Sequence, residues 1–226
     1  FKQKTAYEIG VRLVGSEMCI RDRSMGFLVE EQTPMIWRGP MVISALKTMT
    51  QKVLWKDRDV IIVDMPPGTG DTQLTFAQEV KVDGAIIVST PQDLALLDVK
   101  RGIQMFDKTK IKIVGLIDNM SYFQSDDGKK HNIFGEGGVE RLATNYNKKF
   151  LGKIPINIDL RIAADNVKPH VEKDPNHKIS KIFIENKAKT NFLKLSIKAI
   201  GLIYLTEFSY LVFSFSKILE YFSTSC

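Results

Sequence analysis

Residues 60–71, Val-Ile-Ile-Val-Asp-Met-Pro-Pro-Gly-Thr-Gly-Asp, leave this chain few ways to fold. Four β-branched residues in a row, with no polar alternation, read as a strand buried on both faces. Pro66, Pro67, Gly68 and Gly70 then stop either a strand or a helix from continuing. Asp64 is thereby delivered to the carboxyl end of a buried strand, the edge at which open parallel sheets bind ligands. A carboxylate there suits a hydrated magnesium ion better than a hydrophobic core. Glycines next to it let backbone N–H groups come close to a phosphate.

The rest of the central region repeats the same rhythm. Apolar runs at 60–64, 84–90, 111–117 and 150–156 predict strands, and the stretches at 39–55, 71–80, 92–107 and 138–148 predict helices between them. A further helix is expected over 175–185, with Asp174 as its N-cap and Pro175 in its first turn. This alternation predicts an α/β fold: a doubly wound, mostly parallel sheet with helices on both faces.

The 60–71 segment resembles the Walker B and switch II region of the deviant P-loop ATPases, which include MinD, ParA and the Mrp-type iron–sulfur cluster carriers. Asp-Met-Pro-Pro-Gly-Thr-Gly-Asp is most similar to the Mrp branch. Further matches follow in order: Ser89-Thr90-Pro91-Gln92-Asp93 running on to Arg101, Asp118-Asn119-Met120-Ser121-Tyr122-Phe123, Ile133-Phe134-Gly135-Glu136-Gly137-Gly138, and Ile162-Ala163-Ala164-Asp165. Each is weak alone; five in sequence over 24–185 are specific.

The resemblance implies an ATP-binding, ATP-hydrolysing iron–sulfur carrier that works as a cytoplasmic homodimer and serves apo iron–sulfur proteins. ATP, Mg2+ and a 4Fe-4S cluster are the cofactors it implies. Asp64 would hold magnesium through a water. Gly68 lies in the loop that senses the γ-phosphate, and Asp71 closes that loop; equally, Asp71 can cap the helix beginning at Thr72, for about 1 kcal/mol. Asn119, just past a strand, can pair its amide with the adenine edge, or serve as an ordinary turn residue. Asp98 is expected near the nucleotide and the partner subunit, although its spacing also fits a solvated helix face. Pro155 is grouped with Asn119 and Asp98 as a nucleotide contact. The glycines at 135–138 predict a tight turn, lacking the Lys-Ser/Thr of a phosphate loop, and His131, His170 and His177 are too scattered along the chain to predict a metal site.

Two features of the pattern are missing. No Gly-x-x-x-x-Gly-Lys-Ser/Thr occurs among the 226 residues, which predicts a piece that lacks the first strand and P-loop, hydrolyses ATP poorly and leaves a gap in mid-sheet. The Cys-x-x-Cys that many members carry is also absent: residues 124–132, Gln-Ser-Asp-Asp-Gly-Lys-Lys-His-Asn, contain no thiol, so no iron–sulfur ligand is expected in this chain.

Composition divides the chain into three. The net charge of +6 falls mostly in the flanks, leaving residues 24–185 near neutral, which argues against a basic nucleic-acid groove. Residues 1–23 have the look of a non-native leader, and 186–226 of an appended, aromatic-rich tail, with 24–185 as the ATPase domain between them. Cys19 and Cys226 form no disulfide framework, and a reducing compartment follows. The apolar stretch 199–218 falls short of a membrane span because Glu207 and Lys217 oppose insertion, by about 3 kcal/mol for a central charge. An appended helix is the expectation there. The rival assignments are a MinD/ParA-like positioning ATPase and a non-catalytic binding fragment. The near-neutral domain, with no basic amphipathic terminal helix, favours neither DNA nor a membrane as partner.

Overall fold

The computed structural model describes residues 39–48, 60–65, 71–166, 170–190 and 199–205. The first element, α1 (Gly39–Lys47), leads to β1 (Val60–Met65), α2 (Asp71–Glu79), β2 (Gly84–Ser89), α3 (Asp93–Lys108) and β3 (Ile113–Gln124). There follow β4 (Lys130–His131), α4 (Gly138–Asn145), β5 (Phe150–Ile156), α5 (Ile158–Asp165), α6 (His170–Lys173), α7 (Lys178–Thr190) and β6 (Ala199–Leu205). Strand order is β1-β6-β2-β3, with β5 parallel to β3 on its other edge. Phe123 of β3 pairs with Ile156 of β5 and with His131 of β4, so β4 lies antiparallel on the β2 side of β3, beyond the end of β2.

The doubly wound sheet is present, and β2 shows why. All six of its residues are buried. Ala85 and Ile87 pack with Val99, Ile103 and Phe106 of α3 and Val139 and Leu142 of α4, whereas Ile86 and Val88 pack with Val171, Ile179 and Phe183 from α6 and α7. A strand clothed on both faces needs unbroken apolar sequence, which Gly-Ala-Ile-Ile-Val-Ser supplies. Phe183 is fully buried, and its truncation to alanine would cost about 3–5 kcal/mol.

Three expectations need correction. The tail does not form an appended helix at 199–205: it is β6, parallel to β1 and β2 and inserted between them. The middle of the sheet is therefore filled. An apolar run can serve as helix or strand, and two unpaired strand edges offer a row of backbone hydrogen bonds that an isolated helix does not need. The α7 helix starts at Lys178 and runs to Thr190, not 175 to 185. Asp174 Oδ1 does accept from the amides of Asn176 (3.2 Å) and His177 (3.1 Å), but this closes a turn ahead of the helix. Of the helix expected over 39–55, α1 covers Gly39–Lys47, and 49–55 lie outside the described residues. Finally, β3 continues past 117 to Gln124 and turns back into β4.

Among the described residues, no helix is long and apolar enough to cross a membrane.

Candidate functional site

Because β1, β6, β2, β3 and β5 run parallel, their carboxyl ends share one edge. Asp64 lies at that edge of β1, one residue before its end. It opens to solvent, yet the surrounding protein displaces enough water to raise its pKa to about 6. Gly68 lies outside the described residues. Asp71 is the first residue of α2, so the backbone position agrees with a helix start; its side chain is not described.

Three strand spacings away, roughly 14 Å across the sheet, β3 delivers Asp118 and Asn119 to the same edge. Ser89 stands beside Asp118 on one side and Lys153 on the other, while Asn119 stands beside Ile154. Asn119 is buried at 4% exposure. Beyond it the backbone takes a left-handed turn at Met120, with φ of 52°, and the β3–β5 register shifts. The Ser121 hydroxyl then donates to the Ile154 carbonyl oxygen at 3.1 Å. That bond ties the bulge to β5 immediately before Pro155, which is itself buried. The register thus sets Asn119 beside the residue that precedes Pro155.

Asp98 is placed apart from them, on α3. It is half-buried and accepts from Arg101 at 3.0 Å, and the same helix exposes Leu94 at 73% and Leu97 at 49%. Gly137, with φ of 64°, starts α4, and a Cβ on Gly138 would meet the Pro91 carbonyl oxygen and Leu96 Cδ1, each at 2.7 Å. The glycines at 135–138 therefore form a turn that packs α4 closely against residue 91.

Asp118 escaped the sequence reading. It is fully buried, neither carboxylate oxygen has a hydrogen-bond partner, and burial raises its pKa to about 7, Lys153 pulling it down and Glu140 pushing it up. Lys153 and Glu140 pair with each other at 3.1 Å. The signal was present: Asp118 ends an apolar run just as Asp64 does.

Residues 124–132 form the β3–β4 hairpin. Its turn is held by Gly128 N–H to Ser125 O (2.9 Å), Ser125 N–H to Lys129 O (3.0 Å) and the Ser125 hydroxyl on Asp127. The histidines are less scattered in space than in sequence. His131 stays on this hairpin, but the rings of His170 and His177 lie 4.6 Å apart.

With this geometry established, comparison with known proteins is decisive. The family model described as NUBPL iron-transfer P-loop NTPase, of the ParA group, matches residues 11–190. The chain belongs to this family. An iron-sulfur cluster carrier protein of Pseudomonas fragi is 48% identical over 163 residues, covering 72% of this chain and 57% of that protein. A protein of Arabidopsis thaliana, the mitochondrial iron-sulfur protein required for NADH dehydrogenase, is 47% identical over 165 residues, covering 73% and 53%. The chain thus spans about half the length of the curated relatives it matches. A nucleotide-binding protein of Archaeoglobus fulgidus, solved in complex with ADP, superposes with a TM-score of 0.51 at 38% identity, covering 56% of this chain and 52% of the other. The family match starts at residue 11 and ends at 190, wider at both ends than 24–185.

Proposed function

We propose that the carboxyl edge of this sheet binds ATP, as part of an iron–sulfur cluster carrier that hydrolyses it. The observation that carries the proposal is Asn119, buried at the carboxyl end of the sheet and paired with Ile154, whose carbonyl the Ser121 hydroxyl holds just before Pro155. An amide has a donor and an acceptor side by side, the complement of an adenine edge. The likeness to a protein solved in complex with ADP supports nucleotide binding.

Asp64 fits a magnesium ion held through water: it is a hard oxygen donor, open to solvent, and raised in pKa by loss of water alone. Such an ion neutralises charge on the β- and γ-phosphates when nucleotide is bound. Gly68 and Asp71 belong to the loop that would order around the γ-phosphate and relax after hydrolysis. The phosphate-gripping Gly-x-x-x-x-Gly-Lys-Ser/Thr pattern has no counterpart among these 226 residues. The exposed Leu94 and Leu97, next to Asp98, make α3 the face for a second copy.

The cluster is cargo. The described residues contain no cysteine, Cys19 and Cys226 lying outside them, so the described residues offer no thiolate ligand set for it. Cluster delivery to apo iron–sulfur proteins is supported by the names of the relatives alone.

Calorimetric titration of the 226-residue chain with ATP and with GTP tests nucleotide recognition. Saturable ATP binding, with GTP at least about tenfold weaker, is expected from an amide that discriminates by about 1–3 kcal/mol. Equal affinities would remove Asn119 as the reader of the base.

A further inference from the structure

We propose that Asp159, His170 and His177 form a site for a divalent transition metal of the zinc type, on the α5–α6–α7 side of the molecule. Each offers one ligand atom, and the three atoms lie within 4.8 Å of one another. Metal–ligand bonds of about 2.0–2.2 Å hold tetrahedral ligands roughly 3.3–3.5 Å apart, so small side-chain rotations close the site. Two imidazoles and a carboxylate are a donor set suited to zinc and its first-row neighbours, not to magnesium.

His170 is oriented for the role. It is buried at 6% exposure, and its Nδ1 lies 3.0 Å from Ser180 Oγ. Ser180 spends its single proton on the Asp174 carbonyl oxygen at 2.6 Å, so it can only accept from His170. The proton therefore sits on Nδ1, and the lone pair of Nε2 is left for a metal. This is the arrangement by which a hydrogen bond to one ring nitrogen fixes the other as a ligand.

His177 pays a small cost. The Ile179 amide donates to its Nδ1 at 3.3 Å, and ligation through either nitrogen gives up that long bond. Asp159 is exposed, in the first turn of α5; Arg161 pairs instead with Asp165 at 2.8 Å. An exposed carboxylate leaves room for water as a fourth ligand. Lys173 is a nearby positive charge that opposes a cation, and Asp174 a negative one that favours it. A bound ion would fasten α5 to the turn entering α7.

Packing alone would account for the two imidazoles meeting at a tilt but would leave Asp159 indifferent to substitution. The test is a titration of the 226-residue chain, carrying Cys19→Ser and Cys226→Ser to remove thiolates, with Co2+ followed by visible absorption and displacement by Zn2+. One ion per chain with the intense bands of a four- or five-coordinate site is expected. Asp159→Asn, a surface change, and His177→Ala should each weaken binding by about 10–100-fold, Ser180→Ala should weaken it less, and His131→Ala should leave it unchanged. Absence of stoichiometric binding at millimolar Co2+, or binding that Asp159→Asn and His177→Ala leave intact, would overturn the assignment. Circular dichroism of each variant separates lost binding from lost folding, and Asp159→Asn decides if His177→Ala fails to fold.

Discussion

Ser121 and Ile154 are joined by a hydroxyl-to-carbonyl hydrogen bond of 3.1 Å that crosses from β3 to β5 at the point where their register shifts. The bond is buried, two residues past Asn119 on one strand and one before Pro155 on the other. Ser121→Ala is expected to destabilise the fold by about 1–2 kcal/mol, because the Ile154 carbonyl loses its partner out of reach of water. Urea denaturation checks the stability, and a parallel fall in ATP affinity would follow from the loosened Asn119.

Asp118 makes the opposite prediction. Its folded pKa of about 7 stands above the ordinary 3.8 of a free carboxylate, so the folded state holds the proton more tightly than the unfolded one. Its penalty is absent below about pH 4, grows as pH rises through that window, and levels off above pH 7, with a ceiling of about 4 kcal/mol. Asp118→Asn should therefore stabilise the protein by about 1–3 kcal/mol at pH 8 and by far less at pH 4. Denaturation curves at the two pH values give the comparison; an equal effect at both would contradict it.

Much of this architecture was legible in sequence because its signals are local. Gly84 to Ser89 reads as a doubly buried strand and is one, whereas Ile61 to Val63 form a strand that stays half-buried and ends at Met65, ahead of the prolines and glycines. What stayed hidden depends on distant partners. The run at 199–205 became β6 because β1 and β2 offered it edges, which no periodicity reveals. The β3–β4 hairpin follows a left-handed Met120, an uncommon conformation for a residue with a side chain. His170 and His177 meet only because the Asp174 turn folds α7 back on α6. Asn119 was expected just past a strand and lies inside β3, and the Ser121–Ile154 bond beyond it has no signal in sequence.

Gly138 is held to its identity by its surroundings. A methyl group there would press on the Pro91 carbonyl oxygen at 2.7 Å, and backbone cannot swing aside as a side-chain end can. Gly138→Ala is expected to cost about 1–3 kcal/mol, read as a lowered denaturation midpoint. A neutral result would mean that α4 can slide away from residue 91.

Asp64 carries the pH dependence of the site. With its pKa raised to about 6, it is charged above that value and loses its charge as pH falls through it. Magnesium should strengthen ATP binding at about pH 8 and fail to do so at about pH 5, and Asp64→Asn should abolish the magnesium effect at both. Calorimetry with and without the ion supplies the test.

Hydrogen–deuterium exchange of the 226-residue chain with and without ADP locates the ligand most directly. Slowed exchange concentrated at residues 118–121 and 154–156 is the expected result, since nucleotide there would shield the ends of β3 and β5. Saturating ADP that leaves those two segments unchanged while protecting others would contradict the assignment of this edge.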